Sequence, residues 1–66
     1  MRLLVNGSPH EAPDGASVAH LIDQLKLAGR RLAVERNGEI VVRSRYGDTR
    51  LQDGDTLEIV QAIGGG

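Results

Sequence analysis

The hydrophobic positions of this chain follow two periods. Between Ser17 and Gly29, Val18, Leu21, Ile22, Leu25 and Ala28 recur at i, i+3, i+4, i+7 and i+10. That spacing stacks side chains along one face of a helix. Ser17 stands where a hydroxyl takes up a free backbone N–H, which predicts the N-cap. Gly29 follows the last apolar position and predicts a left-handed C-cap. Elsewhere the apolar runs are short and bounded by turn signals. Met1 to Val5 ends at Asn6-Gly7, and Leu32 to Arg36 ends at Asn37-Gly38. Asn-Gly tolerates the two positive φ angles of a tight hairpin turn. Returning strands are therefore predicted over Ser8 to Ala12 and Glu39 to Arg43. Pro13-Asp14-Gly15 breaks the pattern before the helix, and Asp53-Gly54-Asp55 reads as a turn. Thr56 to Gln61 alternates, with Leu57 and Ile59 on one face and Glu58 and Val60 on the other. The Ser44 to Arg50 stretch is irregular, with a short strand expected around Thr49 to Leu51.

This order, ββαββ and a final β, fits one architecture. A first hairpin feeds a helix that crosses one face of the sheet, and the last strand returns parallel beside the first. A right-handed crossover is the strongly preferred solution. The predicted fold is α+β, a ubiquitin-like β-grasp with a mixed sheet of four to five strands and one helix packed across one face. The domain is expected over residues 1–61, with 62–66 as a flexible tail. Leu3, Val5, Val18, Leu21, Ile22, Leu25, Val34, Ile40, Leu57 and Ile59 are the expected core. Alternation then sends Leu4, Val60 and Val41 to the helix-free face. With Ile63 at the tail, they form a candidate docking surface, because apolar residues clustered on an open face mark interaction sites.

Composition narrows the functional classes. Sixty-six residues make one domain, and a chain this short buries only about 60% of its unfolded surface. It has no cysteine, which excludes disulfides and thiolate metal sites. The formal charge is −1 and the only aromatic residue is Tyr46. A nucleic-acid binder needs a basic stripe with stacking aromatics, so that class is disfavoured. The charges are segregated: Lys26 to Arg50 holds seven basic and three acidic residues, whereas Leu51 to Gly66 carries only Asp53, Asp55 and Glu58. Ordinary solvated surface is one reading of that pattern, and steering of a protein partner is the other. Leu3-Leu4-Val5 is too short for a signal-peptide core, and no run approaches the ~20 apolar residues of a membrane span. A cytoplasmic location without membrane association is expected.

No catalytic constellation stands out. His10 and His20 lack a second ligand at useful spacing, and Ser8, Ser17 and Ser44 lack a partnered base. Asp53-Gly54-Asp55 lacks the further oxygen ligands that calcium requires. The tail carries different chemistry. Ala62-Ile63 leads straight into Gly64, Gly65 and Gly66. A frayed end is one reading. The other follows from glycine itself, since a Gly-Gly end lacking Cβ atoms enters a narrow channel where a side chain would clash. A C-terminal carboxylate, with a reference pKa of about 3.5, is ionised near neutral pH. It attacks an activated phosphate if a partner enzyme supplies the nucleotide.

The run Leu51-Gln52-Asp53-Gly54-Asp55-Thr56-Leu57-Glu58-Ile59-Val60, closing in Ile63-Gly64-Gly65-Gly66, resembles the C-terminal signature of the ThiS/MoaD sulfur carriers. The short length, the Asn6-Gly7 turn and the segment Val34 to Val41 resemble the ThiS type more than the longer MoaD type. The resemblance implies a carrier without catalytic residues or bound cofactor of its own. A ThiF-type enzyme would use ATP to adenylate Gly66, and sulfur originating from a cysteine desulfurase would convert the adenylate to a thiocarboxylate. A ThiG-type thiazole synthase would draw on that sulfur to build the thiazole of thiamine. Gly65 and Gly66 are the pair that carries over; Gly64 extends the usual two-glycine ending. The alternatives are a carrier for another pathway, such as molybdopterin synthesis, and a ubiquitin-like modifier or interaction domain.

Overall fold

Two Asn-Gly turns set the geometry of the sheet. In the computed structural model, which describes residues 1–62, Asn6 and Gly7 take φ angles of 51° and 83°, and Asn37 and Gly38 take 52° and 84°. Two consecutive left-handed residues match the twist of the flanking strands. The first turn joins β1 (Arg2–Val5) to β2 (Ser8–Glu11), and the second joins β3 (Leu32–Arg36) to β4 (Glu39–Val41). Between the hairpins lies α1 (Val18–Gln24), and the final strand is β5 (Thr56–Gln61). The sheet order is β2-β1-β5-β3-β4, with β1 and β5 parallel and the other pairs antiparallel. This is the β-grasp arrangement that the element order predicted.

The helix starts where expected and stops early. Ser17 Oγ accepts from the His20 N–H at 3.1 Å. Neighbouring backbone satisfies two more N–H groups of the first turn, Val18 bonding to the Thr49 carbonyl and Ala19 to that of Tyr46. At the other end Lys26, not Gly29, takes the left-handed position that terminates the helix, with φ 61°. The Leu27 N–H reaches back to the Ile22 carbonyl and the Lys26 N–H to that of Asp23, both at 3.0 Å. This pair of bonds is the Schellman motif. It turns Leu27 back against the core, which the straight helix predicted as far as Ala28 could not do. Ala28 itself is exposed.

The buried core comprises Leu3, Val5, Ala12, Ala16, Val18, Leu21, Ile22, Val34, Leu51, Leu57 and Ile59. Leu25 packs against it but is only half-buried. One expected core residue is on the wrong side: Ile40 is 77% exposed, while Val41 packs against the core. The register explains the exchange. A two-residue turn pairs Arg36 with Glu39, so Glu35 faces Ile40 and Val34 faces Val41. Directly opposed residues share a face of the sheet, and Val34 is buried.

The segment after β4 forms a short 3₁₀ turn, Arg43–Arg45. It then runs to the helix side, where the Leu51 N–H bonds to the Ala16 carbonyl at 2.8 Å. In place of a strand at Thr49 to Leu51 there is a single bridge between Ser17 and Arg50. Leu51 thereby enters the core from a stretch whose polar neighbours concealed it.

Candidate functional site

The tail departs from the middle of the sheet. Strand β5 lies between β1 and β3, and after its last residue, Gln61, the Ala62 N–H still bonds to the Arg31 carbonyl at 2.9 Å. Ile63, Gly64, Gly65 and Gly66 lie outside the described residues, so the docking role expected of Ile63 and the acceptor role expected of Gly66 lie outside them too.

What holds β5 in place is more than its ladder. The Asn6 side chain behaves as one more strand residue: its Nδ2 donates to the Ile59 carbonyl at 3.0 Å and its Oδ1 accepts from the Ile59 N–H at 2.8 Å. Asn37 does the same at the start of the strand. Its backbone N–H bonds to the Thr56 carbonyl at 2.8 Å, and its Oδ1 accepts from the Thr56 N–H at 2.9 Å. Each Asn-Gly turn therefore supplies a clamp on β5 as well as a reversal of the chain.

Asp55 joins these parts. Among the described residues it is the one buried charged side chain, 6% exposed. Its carboxylate accepts from Arg36 Nε at 2.8 Å, Asn37 Nδ2 at 3.0 Å and the Gln52 N–H at 2.8 Å. Burial pushes its pKa up, but the donors Asn37, Gln52 and Arg36, with the charge of Arg36, outweigh that and hold it below the ordinary carboxylate value. Asp53 accepts from the Arg2 N–H at 2.7 Å. The Asp-Gly-Asp motif thus pins β1, β3 and β5 together. Its turn role was legible in the sequence; its place as a hub was not, because the donors come from residues distant along the chain.

Of the expected docking residues, the helix-free face carries Leu4 and Val60. Leu4 is 41% exposed and Val60 is 60% exposed, on the side opposite Leu3, Val5, Leu57 and Ile59. Val41 does not join them, since it faces the core; its place is taken by Ile40, and Val42 is exposed as well. The signal that identifies Ile40 was present in the Asn37-Gly38 turn, whose two-residue length fixes which side chains share a face. Leu4 and Val60 are not neighbours. Leu4 aligns with Thr56, four residues before Val60, which separates them by about 13 Å along the strand. Val60 aligns instead with Ala33. Ile40, which pairs with Glu35 on β4, lies two strands from Val60, with β3 between them.

On the helix side a groove of about 320 Å³ is lined by Val5, Asn6, Ser8, Pro9, His10, Leu25, Leu27 and Ile59. His10 is half-buried there and His20 is exposed on the helix. Among the described residues no cluster of three or more His, Cys, Asp or Glu side chains could hold a metal ion. No helix among them is long and apolar enough to cross a membrane.

Residues 3–66 match the model of the ThiS family. The chain is 38% identical over 53 residues to the sulfur carrier protein ThiS of Bacillus subtilis, a match covering 80% of each chain. It is 42% identical over 66 residues to a thiazole synthase of Magnetococcus marinus, covering all of this chain and 20% of that protein. The chain spans about a fifth of the length of the thiazole synthases it matches. The structure is similar to the crystal structure of a thiamine biosynthesis protein (ThiS) from Geobacter metallireducens, with a TM-score of 0.84, 36% identity and complete coverage of both chains.

Proposed function

The chain belongs to the ThiS family, and on that footing we propose that it is a sulfur carrier for assembly of the thiamine thiazole, loaded at the carboxylate of Gly66. The observation that carries the reading is the family match, which runs through the Gly64-Gly65-Gly66 end. The fold supports it. The tail follows the central strand of the sheet, and that strand is fastened at its start by Asn37 and at Ile59 by Asn6. A tail so rooted extends from a rigid base into a partner's active site.

The chemistry divides between the tail and its partners. In the site of a ThiF-type enzyme the Gly66 carboxylate attacks the α-phosphorus of ATP and pyrophosphate leaves. A persulfide, supplied by a relay that begins at a cysteine desulfurase, then attacks the acyl adenylate through its terminal sulfur and displaces AMP, which leaves an acyl disulfide. A second thiol of the relay attacks the cysteine sulfur of that disulfide, forms a new disulfide with it and releases the acyl sulfur. The product is a thiocarboxylate. This chain contributes no catalytic side chain; it contributes an acyl group without steric hindrance, since neither Gly65 nor Gly66 has a Cβ. A ThiG-type thiazole synthase is the proposed acceptor. The similarity of this whole chain to one segment of a thiazole synthase favours that acceptor over one in molybdopterin synthesis. These reactions belong to the cytoplasm, where ATP is available.

The test is ATP–pyrophosphate exchange with the ThiF-type enzyme of the same organism. Wild-type protein should support exchange. Gly65→Trp should abolish it while leaving the thermal midpoint within about 3 °C, because the substitution follows the last strand in the chain. Normal exchange by Gly65→Trp would overturn the reading.

A further inference from the structure

One edge of the central strand is open near its end. On the β3 side, β5 is bonded from Asn37 and Thr56 at one end to Arg31 and Ala62 at the other. Bonded and non-bonded pairs alternate along an antiparallel ladder. Leu57, Ile59 and Gln61 therefore turn their backbone groups the other way, toward β1. The Asn6 N–H meets the Leu57 carbonyl there, and the Asn6 side chain meets both backbone groups of Ile59. Beyond Asn6 the first chain has turned away at Gly7, and its pairing with β5 ends at Val5 and Leu57. Among the described residues nothing bonds to the Gln61 N–H or carbonyl, and Gln61 is exposed. The groove of about 320 Å³ on the helix side adjoins the same gap. Asn6 and Ile59 contribute to its lining, with Leu25 and Leu27 from the end of the helix.

We propose that this gap receives an extended segment of a partner protein as an added strand. Its main chain pairs with the Gln61 N–H and carbonyl, in the place that β1 vacates after Asn6, and one of its apolar side chains fills the groove. The unpaired groups select that occupant. A strand edge presents a donor and an acceptor side by side, and another extended main chain satisfies both. In strand addition the main-chain bonds supply affinity and a pocket beside the edge supplies specificity. The identity of the partner rests on the carrier reading: it is the thiazole synthase. The whole of this chain is similar to one segment of such synthases, and a domain that shares a chain with its acceptor has that acceptor always within reach. Pairing that runs on past Ala62 would hold the tail straight, toward the site where sulfur leaves Gly66.

The experiment uses the full chain with and without the thiazole synthase of the same organism. Amide hydrogen exchange at Gln61 is read by mass spectrometry at single-residue resolution, and affinity is measured by calorimetry for wild type, Gln61→Pro and Ser8→Phe. The Gln61 amide should exchange rapidly in the free domain and about a hundredfold or more slowly in the complex. Gln61→Pro deletes that donor without breaking a bond inside the domain. It should weaken binding about tenfold or more while the thermal midpoint shows a folded protein. Ser8→Phe places a ring in the groove and should weaken binding to a similar degree; it decides the matter if Gln61→Pro does not fold. A Gln61 amide that exchanges as fast in the complex as in the free domain would overturn the added strand, and so would wild-type affinity in the folded variants. Protection of that amide in the free chain would overturn it too, assigning the gap to the chain's own tail if deletion of residues 63–66 removes the protection, or to a second copy if dilution does. A wild type that binds no thiazole synthase also overturns the docking assignment. The carrier reading is judged separately, by pyrophosphate exchange with the ThiF-type enzyme, and stands in each of these cases if wild type exchanges normally.

Discussion

Asp55 shows how a single side chain ties the turn before β5 to the second hairpin. Its carboxylate is buried and takes hydrogen bonds from Arg36, Asn37 and Gln52. Each bond to an ionised group is worth about 1.5–3 kcal/mol before the cost of burial. Replacing the carboxylate with an amide removes the charge and turns an NH2 donor toward donors, so Asp55→Asn should lose about 2–3 kcal/mol at neutral pH, read from urea midpoints. The pH dependence follows in sign. The folded-state pKa lies below that of the unfolded chain, about 3.9. The stabilisation is therefore complete above that value and is lost as pH falls toward the lower folded-state value. Wild type and Asp55→Asn should converge in stability as the pH drops below about 4. A constant gap between them down to acid pH would contradict the assignment. Lys26 makes the opposite case at the same scale. It occupies the left-handed position at the end of α1, where a side chain costs roughly 1–2 kcal/mol that glycine avoids. Lys26→Gly should raise stability by about 1 kcal/mol, measured in the same urea titrations.

At the scale of elements, what was legible in the sequence is what local rules control. Ser17 capped the helix, and the two Asn-Gly turns placed both hairpins, because each depends on residues within a few positions. The misses came from interactions across the chain. The helix ends at Gln24 because Leu27 turns back onto Ile22, a contact that apolar periodicity does not distinguish from another helical turn. Leu51 is buried by its bond to Ala16, from a stretch with no period at all. Ile40 and Val41 are adjacent and both β-branched, so only the pairing register separates the core residue from the exposed one. Leu21 is fully buried, and Leu21→Ala should cost about 2–5 kcal/mol. In so small a domain that is a large share of the total stability. Ile40→Ser, on the open face, should cost less than about 1 kcal/mol. Chemical denaturation of both variants checks the assignment; a larger loss at Ile40 would mean that the second hairpin is out of register.

For the whole molecule, the packed side and the open side have different tasks. The helix, Leu51 and the segment after β4 all lie on one face of the sheet and make the core. The other face keeps Leu4, Ile40, Val42 and Val60 exposed, next to a tail rooted in the central strand. On the open face, alternation was enough to place Leu4 and Val60, whereas the exchange of Val41 for Ile40 is visible only in the ladder; the glycine end lies outside the described residues. The central claim, that Gly66 carries sulfur, is tested most directly by intact-mass and fragment analysis of the protein recovered from its native host during growth without thiamine. The expected result is a species heavier by the difference between sulfur and oxygen, with the change confined to the Gly66 carboxyl and absent when Gly66 is deleted. An unmodified carboxyl throughout, or Gly66 found only in amide linkage to a lysine, would contradict it.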